Sequence, residues 1–133
     1  MKFKEFSFVS YPITNVSRAF YEGVLGLVPV STWIAELKPG ETDPSSAFIE
    51  YEIGPDTLTI GKGAPNFTPG KTGATVALEV DGDGKDMFDA ALAELREKNV
   101  KFLMETYDGP VCTMVLIEDP DGNQIMIHRR KKA

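Results

Sequence analysis

Two stretches of this chain repeat one another. Tyr51-Glu52-Ile53-Gly54-Pro55-Asp56 leads into Leu58-Thr59-Ile60, and Ile117-Glu118-Asp119-Pro120-Asp121 leads into Ile125-Met126-Ile127. Each stretch is an apolar run, a proline-bearing turn and a second apolar run, the signature of a hairpin between strands. Similar segments precede both hairpins, so one structural unit occurs twice. A duplicated unit restricts the fold far more than composition does.

In the first copy, Phe3 to Tyr11 predicts a strand that stops at Pro12. Asn15 can cap a short helix with the apolar stripe Val16, Ala19, Phe20, Val24 and Leu27, closed by Gly26. Strands over Val28 to Leu37, Ala47 to Ile53 and Thr57 to Gly61 follow, with an exposed loop from Lys38 to Ser46. In the second copy, Thr75 to Val80 predicts a strand. Asp83 and Asp86 then open a helix carrying Met87, Phe88, Ala91, Leu92 and Leu95 on one face, closed by Arg96, Lys98 and Asn99. Three strands end the chain, at Lys101 to Thr106, Val111 to Ile117 and Asn123 to His128. The expected fold is α+β, with two βαβββ units at about residues 1–61 and 73–130. A proline- and glycine-rich linker, 62–72, joins them in one domain, 1–133.

The length, 133 residues, suits one domain with its own core. A formal charge of −6 argues against a nucleic-acid protein, which would carry a basic surplus. The basic end His128-Arg129-Arg130-Lys131-Lys132 reads as a solvated terminus. Cys112 is the sole cysteine, so an intrachain disulfide is excluded, and its place in an apolar run suits a strand better than a nucleophile. No apolar stretch is long enough to span a bilayer, and Met1-Lys2-Phe3-Lys4-Glu5 lacks the pattern of a signal peptide. A cytoplasmic location is expected, with no membrane and no nucleic-acid partner. Asp81 to Asp86 lacks the closing glutamate of a calcium loop, and the Asn15 and Asn66 glycosylation patterns mean nothing without secretion.

Arg18-Ala19-Phe20-Tyr21-Glu22-Gly23-Val24-Leu25-Gly26-Leu27 resembles the first-helix signature of the vicinal-oxygen-chelate (glyoxalase/bleomycin resistance/dioxygenase) superfamily. Glu118-Asp119-Pro120-Asp121-Gly122-Asn123 resembles its last hairpin. The resemblance runs over essentially the whole chain and implies that the two units form a curved mixed sheet around a cleft. The chain departs from the pattern at Ile13-Thr14-Asn15, where the family often has Val-x-Asp. Two residues are also missing between Arg18-Ala19 and Phe20-Tyr21.

Metal-dependent relatives place His or Glu on the first and last strand of each unit. The positions that the resemblance matches to these are Phe8, Thr59, Thr75 and Met126, none of them a good ligand for zinc, nickel or iron. Composition argues the same way, because His128 is the only histidine. The expectation is therefore no metal and no cofactor.

Strand alternation separates the two faces. Leu58, Ile60, Val76, Leu78, Val80, Ile125 and Ile127 should lie under the helices. The opposite alternates include Phe6, Phe8, Ser10, Thr59, Thr75, Ala77, Met126 and His128, a mixed apolar and hydroxyl surface fit for an organic ligand. Trp33, beside the long loop, can stack on such a ligand or belong to core or interface. Glu79 and His128 fall on the same face and form a candidate acid–base pair, with a solvated strand end as the plainer alternative. The leading expectation is a metal-free small-molecule-binding protein, and the resemblance implies a homodimer. The alternative is a lyase or isomerase of glyoxalase-like type that uses Glu79 or His128.

Overall fold

The computed structural model describes residues 1–2, 6–14, 17–64, 67–70, 75–82 and 84–131. The chain divides into two compact units, Met1–Pro69 and Gly70–Ala133. The expected cap Asn15, the stripe residue Val16, the helix-opening Asp83 and parts of the linker lie outside the described residues.

The first unit holds β1 (Val9–Pro12), a helical turn α1 (Ser17–Ala19), a π-helical turn (Phe20–Val24), β2 (Pro29–Ile34), β3 (Ala47–Ile53) and β4 (Asp56–Lys62). Its sheet has the order β1-β4-β3-β2, with β1 parallel to β4 and the other pairs antiparallel. The second unit holds β5 (Val76–Glu79), α2 (Lys85–Glu97), β6 (Lys101–Phe102), β7 (Tyr107–Asp108), β8 (Cys112–Glu118) and β9 (Gln124–Arg130). Its sheet follows the same plan, β5-β9-β8-β6, with β7 also on β8 and β5 parallel to β9. The protein is thus α+β with two mixed sheets, each built from a strand, a helix and a three-strand meander whose final strand returns beside the first. The meander's first strand, expected over Lys101 to Thr106, is only the two-residue β6, and β7, just beyond Thr106, makes a second short pairing with β8. Among the described residues, no helix is long and apolar enough to cross a membrane.

Alternation along the strands places the cores. In the first unit Tyr11, Ile49, Tyr51, Leu58 and Ile60 are buried. In the second, Val115, Ile117, Ile125 and Ile127 are buried beneath Phe88, Leu92 and Leu95 of α2. That helix follows the predicted stripe except at Met87, which is exposed. It starts at Gly84, with no side-chain cap.

The first helix departs from its expected phase. A regular α-helix would turn Ala19 inward, yet Ala19 is exposed while Phe20 and Tyr21 are both buried. The cause is the π turn, closed by the N–H of Leu25 donating to the carbonyl of Phe20 at 3.0 Å. It begins where the sequence leaves the family's helix pattern, and its wider winding brings two adjacent aromatics into the core. Tyr21 then stacks on Tyr51, with ring centroids 6.2 Å apart. The Tyr51 hydroxyl donates to Glu22 at 3.1 Å, and Arg18 pairs with the same carboxylate oxygen. Burial first, then that carboxylate, pushes the Tyr51 phenol well above its ordinary value. The signature Arg18 to Glu22 therefore fastens the helical segment to β3.

The two hairpin turns, similar in sequence, differ in construction. Ile53 pairs with Asp56, leaving Gly54-Pro55 as a two-residue turn with Gly54 at φ 58°. Glu118 pairs with Gln124, leaving five residues between β8 and β9. Buried Asp119 organises this longer turn. Its Oδ1 accepts from the backbone N–H groups of Asp121 (2.9 Å) and Asn123 (2.8 Å), and its Oδ2 accepts from the Asn123 side-chain amide (2.8 Å).

Candidate functional site

In the first unit, the sheet face opposite the core carries an open cleft of about 550 Å³, lined by residues that include Ser10, Trp33, Phe48, Gly61, Lys62 and Phe67. Strand register explains the gathering. Trp33 on β2 pairs with Phe48 on β3, and Phe48 pairs with Gly61 on β4, so the three form one row across the sheet. The floor is open because Gly61 has no side chain. A Cβ there would sit 3.1 Å from the carbonyl oxygen of Ala47 and 3.4 Å from the Phe48 ring, with the Phe67 ring at 3.7 Å. Trp33 is 56% exposed, so much of its indole is free for contact. Lys62 lines the cleft with its ammonium 2.5 Å from Asp43 Oδ2.

The candidates named from sequence distribute unevenly over this surface. Ser10 and Trp33 line the cleft. Phe8 stands beside it, edge-on to Phe48 with centroids 5.8 Å apart. Phe6 precedes β1 and is almost fully exposed. Thr59 lies on the expected face but is wholly buried, and its hydroxyl donates to the Val9 carbonyl at 3.4 Å, so it offers no surface group. Phe48, Gly61, Lys62 and Phe67 were not among the sequence candidates. Alternation in β3 places Phe48 opposite Ile49, a usable signal. Phe67 belongs to the expected linker, where no period points to its position.

The remaining candidates belong to the second unit. Thr75 is exposed and precedes β5. Ala77 pairs with Met126, and Met126 with Leu116, forming an apolar row. In the next row Glu79 pairs with His128 and His128 with Met114. His128 Nδ1 lies 2.6 Å from Glu79 Oε1. An ionised carboxylate can only accept, so at this distance Nδ1 carries the proton. The backbone N–H of Arg130 donates to Glu79 Oε2 at 2.7 Å. Partial burial raises the Glu79 carboxyl, but the hydrogen bonds from His128 and Arg130, with their charges, hold it below the usual range overall.

A metal does not fit the places where the resemblance would put it. Thr59 spends its hydroxyl on backbone, Met126 offers only a thioether, and Phe8 has no donor atom. Among the described residues, no three His, Cys, Asp or Glu side chains are grouped so as to hold an ion.

The sequence profile of the Glyoxalase/Bleomycin resistance protein/Dioxygenase superfamily matches residues 14–127, most of the chain. The chain belongs to that superfamily, and each of its two units has its own mixed sheet in the expected strand–helix–three-strand order. No curated protein matches the sequence. Among solved structures it is similar to TnmS3, an antibiotic binding protein from Streptomyces sp. CB03234. That match has a TM-score of 0.71 at 20% identity and covers 98% of this chain and 99% of that one. A glyoxylase/bleomycin resistance protein/dioxygenase domain from Frankia sp. EAN1pec gives 0.71 at 14% identity, covering 98% and 100%. A glyoxalase/bleomycin resistance protein/dioxygenase from Nocardioides gives 0.70 at 17%, covering 100% and 87%.

Proposed function

We propose that this chain is a cytoplasmic, metal-free small-molecule-binding protein that holds a flat organic ligand in the cleft of its first unit. The observation that carries the reading is the row Trp33–Phe48–Gly61, an aromatic wall beside a floor without side chains. Planar apolar molecules gain most from such a surface, through burial and through stacking on Trp33 and Phe67. Ser10 and Lys62 supply polar contacts that orient the ligand. The antibiotic-binding description of one similar structure agrees in kind. A homodimer belongs to the same reading. Val30 and Ile34 on the sheet-edge strand β2, with Val28 and Leu37 flanking it, are exposed apolar side chains suited to a second copy.

Trp33 is the only tryptophan, so its fluorescence reports on this cleft alone. Titration with a panel of planar aromatic compounds is expected to quench or shift that emission saturably for at least one member. Trp33→Ala should weaken binding of that compound at least tenfold by calorimetry, with melting temperature little changed. Saturable binding that Trp33→Ala leaves intact would place the ligand elsewhere and overturn the reading.

A further inference from the structure

We propose that Glu79 and His128 form a proton-accepting dyad on the open face of the second unit's sheet, a site for ligands bearing a weakly acidic hydroxyl, such as a phenol or an enol. The inference is independent of the cleft in the first unit. Three observations carry it. The parallel register of β5 and β9 sets the two residues side by side, and the ring is held at 2.6 Å by the carboxylate. The second carboxylate oxygen is fixed by the Arg130 N–H, so Glu79 cannot swing away. With Nδ1 committed as the donor, Nε2 is the basic nitrogen of the neutral ring. The apolar row Ala77–Met126–Leu116 runs beside it on the same face, where the body of a ligand would lie.

The step is a proton transfer. The ligand's O–H bond breaks, its electron pair stays on oxygen, and the proton bonds to Nε2. The imidazolium formed is balanced by Glu79, and the oxyanion remains hydrogen-bonded to Nε2–H. Arg130 on β9 places a further cation at this end of the strand, and Cys112 on β8 pairs with it in register. A clamp that merely ties β5 to β9 would use the same contacts but would not act on a ligand.

Because His128 is the only histidine, its ring nitrogens can be read without ambiguity by nitrogen-detected NMR. The wild-type protein should show the Nδ1–H tautomer, and Glu79→Gln should shift the population toward Nε2–H. Using 4-nitrophenol as the probe, at a pH where the free compound is mostly protonated, the protein should raise the yellow phenolate absorbance saturably. His128→Gln should abolish that rise and Glu79→Gln should weaken it about tenfold. Phenolate formation that persists in His128→Gln, or a wild-type ring in the Nε2–H tautomer, would overturn the proposal. No phenolate signal with wild type, together with lowered melting temperatures in both dyad variants, would reduce the pair to a strand clamp.

Discussion

The two units share one plan and use the same row of it in opposite ways. In the first, the row two residues beyond Thr59 is Gly61, Phe48 and Trp33, and the missing side chain of Gly61 leaves a cleft. In the second, the row two residues beyond Met126 is His128, Met114 and Glu79, and side chains fill it with a hydrogen-bonded ionisable pair. The backbone offers equivalent positions in both, so the chemistry of each face is set by a few residues on its last strand. Gly61 makes an apolar recess, and His128 makes a polar site. Fold membership alone therefore does not say which unit acts.

The cores differ as well, and the largest expected effect tests that difference. The second unit buries aliphatic strand residues under Phe88, Leu92 and Leu95 of a thirteen-residue helix. The first buries Ile49, Leu58 and Ile60 as well, but adds Tyr11, Tyr21 and Tyr51 and only a short helical segment. Phe88 is 1% exposed, so Phe88→Ala removes a large side chain from a site with little room to collapse. It should destabilise the protein by about 3–5 kcal/mol in denaturant titration followed by circular dichroism. A loss below about 1 kcal/mol would mean that the helix contributes little to its unit.

The two hairpin turns give a matched second test. Asp119→Ala would remove the carboxylate that accepts from the N–H groups of Asp121 and Asn123 and from the Asn123 side-chain amide, at a position where Asp119 and Asn123 are buried. Hydrogen bonds to a charged acceptor contribute about 1.5–3 kcal/mol each and the three are not additive, so a loss of about 3 kcal/mol is expected. Pro55→Ala in the shorter turn removes no hydrogen bond and should cost about 0.5–1 kcal/mol, through the greater freedom of the unfolded chain. Equal losses in the two variants, measured by the same titration, would show that the shorter turn depends on contacts beyond its backbone geometry.

Much of this plan is legible in the sequence, because strand faces follow a period of two that packing does not alter. Of the residues that alternation assigns to the covered face, Leu58, Ile60, Ile125 and Ile127 are buried, whereas Val76, Leu78 and Val80 are only half-buried. Glu79 and His128 were placed on one face by the same rule, though their hydrogen bond depends on rotamers that a sequence does not specify. The π turn was not legible. It is stabilised by putting Phe20 and Tyr21 together in the core, a tertiary gain with no local signal. Thr59 reads as a polar face residue, but it is wholly buried and its hydroxyl donates to the Val9 carbonyl of the neighbouring strand β1. The cleft was half legible. Ser10 and Trp33 sit at readable strand positions, whereas Phe67 reaches the cleft by a loop path that no periodicity encodes.

The smallest expected effect concerns pH and separates the dyad from its counterpart row, which carries no ionisable group at Gly61 or Phe48. Glu79 titrates below its ordinary value in the folded protein, so folding favours its charged form. The sign follows directly. Its contribution to stability is complete above the unfolded carboxylate pKa and disappears as pH falls through the lower folded value. The Glu79 side chain is 52% exposed, so solvent screens the interaction and the effect is small. Asp108, held low by the Lys131 ammonium and the Thr113 hydroxyl, loses its own contribution as the pH falls below the ordinary aspartate range. Comparison of wild type with Glu79→Gln cancels that background. Denaturant titrations at a series of pH values should give a constant difference near neutrality that shrinks toward zero as the pH falls below the ordinary carboxylate range. A difference that stays constant through the acid range would mean that the carboxylate's charge adds nothing to the clamp between β5 and β9. The dyad's stabilising part would then be geometric, as neutral as the row that holds Gly61.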